Sequence, residues 1–199
     1  MHDNRYHLRA PIAVMAALIL GAVAGTTEAS AAGHWRFKQY VVTPPQSQLD
    51  AIKAMPGRVQ EEKVWGAFQP KSSGQGTVNS YFKTDDPDRK VFITTHQCNF
   101  HANADMLALT PGQIVHFTGD GSMTANAGTP SGSCKMAEGN GDYFMAFDFN
   151  HMKKGSGSGD WKVPGGGPNS TLDLYIKGYQ ANLGALGGQI DIYYDWVPN

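Results

Sequence analysis

Gln189-Ile-Asp-Ile-Tyr-Tyr-Asp-Trp196 alternates without a break. Ile190, Ile192, Tyr194 and Trp196 fall on one face of an extended chain and Asp191, Tyr193 and Asp195 on the other. That is the pattern of a strand with one side in a core. Leu172-Asp-Leu-Tyr-Ile-Lys177 repeats it, with Leu172, Leu174 and Ile176 inward. Tyr143-Phe-Met-Ala-Phe-Asp-Phe149 is apolar at most positions of both faces, which predicts a central strand. Further strands are predicted over Trp35–Val42, Lys63–Phe68, Thr77–Phe82, Lys90–Thr95 and Gln113–Thr118, with shorter ones about Met106–Leu109 and Ser122–Ala125.

Breakers stand between these runs: Pro44-Pro45, Gly74-Gln75-Gly76, Asp85-Asp86-Pro87-Asp88, Pro111-Gly112, Gly119-Asp120-Gly121, Gly139-Asn140-Gly141 and Gly187-Gly188. Only Ser47–Met55 reads as a helix. Ser47 caps it, Leu49, Ile52 and Met55 share a face, and Pro56-Gly57 stops it. The expected fold is all-β: a two-sheet antiparallel β-sandwich, jelly-roll or Ig-like, of roughly 8–10 strands with one short N-terminal helix and one disulfide. The same patterning is compatible with a β-barrel.

Composition agrees. The 199 residues include 24 glycines, and 17% are charged, below the usual quarter. Sixteen basic residues against 17 acidic ones give a formal charge of −1. Such a chain has no basic stripe for nucleic acid, Lys153-Lys154 being a lone pair.

Residues 1–32 read as a signal peptide that is removed. Arg5 and Arg9 precede an apolar stretch, Ala10–Ala24, and small residues follow through Ala29-Ser30-Ala31-Ala32-Gly33. The apolar stretch is shorter than the roughly 20 residues a spanning helix needs. Residues 33–199 are then a single exported domain, secreted or periplasmic, with no membrane span. It keeps two cysteines, Cys98 and Cys134, and in an oxidising compartment these form one disulfide.

Motifs for familiar chemistries are absent. The chain has no G-x-S-x-G elbow, no phosphate-cradling G-x-x-x-x-G-K-[ST], no dinucleotide G-x-G-x-x-G between a strand and a helix and no H-E-x-x-H. Asp85, Asp86 and Asp88 read as a solvated turn, since Pro87 interrupts calcium-loop spacing. Asn169-Ser170-Thr171 is a glycosylation sequon with meaning only in a glycosylating host.

Two Gly-rich segments, Asp120–Met136 and Asn150–Ser170, are expected to be loops, and a long loop in a compact domain is commonly functional. Trp161, inside the second, would supply a flat apolar face for a sugar ring, with Asp160, Asn150 and His151 holding hydroxyls. Imidazoles offer a second chemistry. If cleavage leaves His34 at the N-terminus, its amine and ring chelate copper, with His96, His101 or His116 as the further ligand. That arrangement resembles the histidine brace of lytic polysaccharide monooxygenases and of some periplasmic copper-binding sandwiches, and the resemblance rests on His34 and the expected fold. The leading expectation is a non-enzymatic binding module for a carbohydrate or small polar ligand. Copper binding or copper-dependent oxidation, and a self-associating envelope protein, are the alternatives.

Overall fold

A computed structural model describes residues 32–42, 59–71, 74–84, 93–125, 131–150, 154–180 and 186–199. Residues 1–31 of the expected signal peptide, the helix expected over Ser47–Met55, the turn expected at Asp85–Asp88 and His151 lie outside them. Among the described residues there are eleven strands and no helix. They are β1 (Gly33–Val42), β2 (Val59–Gln69), β3 (Gln75–Thr84), β4 (Ile93–Ala102), β5 (Ala108–Leu109), β6 (Ile114–Ala125), β7 (Ser131–Glu138), β8 (Tyr143–Asn150), β9 (Lys154–Lys162), β10 (Thr171–Gln180) and β11 (Leu186–Pro198).

The alternation of β11 is realised as predicted. Ile190, Ile192 and Tyr194 are wholly buried and Trp196 nearly so. Pairing β11 between β1 and β10 satisfies both of its backbone edges, and the five-stranded sheet packed against it hides its apolar face. The resulting six-stranded sheet runs β5-β1-β11-β10-β7-β8, and a five-stranded sheet runs β2-β3-β4-β6-β9. Every paired strand is antiparallel. The core lies between the sheets, where Val78, Phe100, Phe117 and Met123 of one meet Met136, Leu174, Ile176 and Ile192 of the other. The Cys98–Cys134 disulfide joins β4 to β7 and so ties the two sheets together.

Several expectations from glycine content are corrected. Residues 154–162 form β9 rather than open loop, and most of residues 120–136 belongs to β6 and β7. Gly119 and Gly121 lie inside β6, and Gly187 and Gly188 inside β11. Gly119, Gly121 and Gly188 mark close approach, not turns. A Cβ on Gly121 would sit 2.8 Å from Cys134 Sγ, and one on Gly119 would sit 2.8 Å from the Met145 methyl. Along β9, Gly155, Gly157 and Gly159 face β8, and a Cβ on Gly159 would collide with the Phe144 carbonyl. β8 is the outer strand of its sheet, not a central one. Met145, Phe147 and Phe149 fill its buried face, where Phe147 and Phe149 meet glycines of β9, while Ala146 and Asp148 are exposed.

Candidate functional site

Strand register on the five-stranded sheet assembles the site. With Phe68, Val78, Cys98, Phe100, Phe117 and Met123 turned into the core, the intervening residues face outward. One row across the strands is Ala67, Thr77, Asn99, Asp120 and Ser156. The row on one side is Trp65, Asn79, Gln97, Ser122 and Lys154, and on the other Gln69, Gln75, His101, Thr118 and Ser158. Eight of these fifteen are Ser, Thr, Asn or Asp, and these short side chains leave the middle of the face recessed. Two adjoining depressions of about 420 and 370 Å³ share Asn99, Asp120 and Ser156 and form a shallow groove.

Hydrogen bonds order its floor. Thr77 Oγ1 donates to Asn99 Oδ1 at 2.9 Å, and Asn99 Nδ2 donates to Asp120 Oδ1 at 2.7 Å, linking three strands. Gln75 Nε2 donates to His101 Nδ1 at 3.2 Å in the next row. Trp65, on edge strand β2, is 47% exposed and presents an indole beside the groove. Interstrand spacing puts Asp120, three strands away, roughly 14 Å from β2.

The residues expected to bind ligand are dispersed. Trp161 is only 6% exposed because it faces inward near the end of β9. Its ring stacks on Phe144 with centroids 5.6 Å apart, and its Nε1 donates to Glu138 Oε2 at 3.2 Å. It therefore anchors the sandwich and offers no face to a sugar. Asp160 does face outward, accepting a 2.6 Å hydrogen bond from His116 Nδ1 on the same face as the groove. Asn150 ends β8, with its backbone opposite Ser131.

The histidines considered for copper occupy three different places. His34, opposite Val197 and next to inward-facing Trp35, points outward from the six-stranded sheet. His101 and His116 are on the far surface of the other sheet. His96 is 3% exposed between the sheets. Its Nδ1 is 3.1 Å from Ser80 Oγ, its Nε2 is 3.1 Å from Cys98 Sγ and 3.9 Å from Cys134 Sγ, and its ring stacks on Phe149. Burial lowers its pKa to about 4, keeping the ring neutral. Among the described residues, His96, Cys98 and Cys134 are the one group of three His, Cys or acidic side chains close enough to share an ion.

A carboxylate pair marks the outer face of the six-stranded sheet. Asp191 is buried, accepts a hydrogen bond from Gln189 Nε2, and has its pKa raised by burial. Asp173, on the neighbouring strand, is pushed up to about 6 by desolvation and then by the charge of Asp191.

Sequence reasoning missed the groove. Its residues are spread from Trp65 to Ser156 with no shared motif, and the only sign was the alternation of small polar residues along β3, β4, β6 and β9. Compared with family models, curated proteins and solved structures, the chain has no significant match.

Proposed function

We propose that this protein is a binding module whose ligand is a glycan laid across the groove of the five-stranded sheet. The observation carrying this reading is the hydrogen-bonded row Thr77–Asn99–Asp120 beside the exposed ring of Trp65. A sugar presents apolar C–H faces and a rim of hydroxyls. An indole matches the first, and amides, hydroxyls and a carboxylate with spare lone pairs match the second. The prior hydrogen bonds hold these side chains in place, so little rotamer entropy is lost on binding. Export through a cleaved leader fits this role, and an inter-sheet disulfide is compatible with an extracellular or periplasmic location.

Affinity electrophoresis through gels containing a soluble β-glucan, a xylan or a galactomannan tests the reading. The protein should be retarded by at least one of them. Trp65→Ala and Asn99→Ala should each weaken retardation roughly 10- to 100-fold while the folded circular dichroism persists. No retardation by any of the three, or equal retardation of parent and both variants, overturns it.

A further inference from the structure

We infer that the inter-sheet disulfide covers a latent zinc site formed by Cys98, Cys134 and His96. Their ligand atoms already lie within 4.8 Å of one another, before any metal is present. This inference stands apart from the groove, which is on the other face of β4.

Three features suit the cluster to a metal. The first is ligand chemistry. Two thiolates and one imidazole are a three-ligand zinc donor set of the kind that leaves the fourth position to water, and Zn²⁺ with two thiolates is neutral, so the filled site leaves no net charge in the core. The second is orientation. His96 directs Nε2 at both sulfurs while Ser80 Oγ meets Nδ1 at 3.1 Å. A hydroxyl both donates and accepts, so it can accept a hydrogen bond from Nδ1–H once Nε2 becomes a ligand. The third is space. Gly121 is the cross-strand neighbour of Cys98, and Gly178 that of Cys134. A Cβ on Gly178 would collide with the His96 ring and sit 2.8 Å from Cys98 Sγ, and one on Gly121 would sit 2.8 Å from Cys134 Sγ. The absence of a Cβ at both positions is what lets the ring and the two sulfurs gather at one point between the sheets.

The chemistry balances with a dithiol as reductant. Thiol–disulfide exchange transfers two electrons and two protons to the protein sulfurs, breaking their bond and leaving the dithiol as a cyclic disulfide. Zn²⁺ then displaces the two thiol protons into solvent and takes both thiolates and Nε2.

To test it, full-length protein is reduced with dithiothreitol, freed of reductant without air, and titrated with Co²⁺ as the spectroscopic substitute for Zn²⁺. One equivalent should give thiolate-to-cobalt charge-transfer bands that Zn²⁺ abolishes, and the disulfide form should give none. X-ray absorption of the zinc-loaded parent should count two sulfurs and one imidazole, and His96→Ala should bind roughly tenfold more weakly or worse. Absence of the bands from the reduced chain overturns the inference. So do bands in the oxidised chain, a zinc shell without imidazole, His96→Ala binding as tightly as the parent, or loss of tertiary circular dichroism on reduction.

Discussion

Asp173 shows how a single side chain sets a pH response. It lies on β10 with Oδ1 buried and unpartnered, and its carboxyl is raised from 3.8 to about 6. A carboxyl with a raised folded value holds its proton more tightly when folded. Its contribution to stability is full below the unfolded value and is lost as pH rises through about 6. Asp173→Asn should therefore raise the thermal midpoint at pH 7 and leave it nearly unchanged at pH 4. An equal shift at both values, or a lower midpoint at pH 7, contradicts the assignment. The alternation of β11 already put Asp191 on the non-core face, but not its burial there, which depends on what surrounds that face. Trp161 is the converse. Its Gly- and Pro-rich neighbours suggested an exposed ring, whereas the register of β9 against β6 turns it inward opposite Val115.

At the scale of elements, the glycine-rich strands are the main departure from sequence expectation. Glycine signals a turn when the chain is considered alone. In β9 it answers to another strand, because β8 passes so close that no side chain fits. Gly159→Ala should cost about 3 kcal/mol or more, since the new methyl meets backbone that cannot rotate away. Gly167→Ala should stay within about 0.5 kcal/mol, because its nearest neighbour is the Ser170 hydroxyl at 4.0 Å. Urea denaturation of the two variants checks this, and similar losses would mean that β8 and β9 are not in contact. Strands β10 and β11 were legible to within a few residues because each buries one face of a sustained alternation, and β1 was legible although an irregularity between Phe37 and Gln39 breaks its alternation. β4 and β6 were seen only in part. Their outward residues are polar and some inward ones are glycine or cysteine, which blurs the hydrophobic period.

For the whole molecule, the disulfide is the one side-chain cross-link between the sheets among the described residues. It closes a loop of 36 residues, and loop entropy predicts a loss of about 4 kcal/mol for the Cys98→Ala/Cys134→Ala pair. Urea unfolding of this variant should show that loss in one cooperative transition, and a loss below about 1 kcal/mol would assign the inter-sheet hold to packing alone. The pairing of Cys98 with Cys134 was readable because only two cysteines exist. Side-chain period likewise dictated the all-β class, since apolar residues at every second position can be buried together only by stacking sheets. The groove and the imidazole against the sulfurs had no such local sign. Each joins residues far apart in the chain, and only strand order and register decide which of them share a row. Those are settled by mutual packing of the two sheets, a condition no single segment carries.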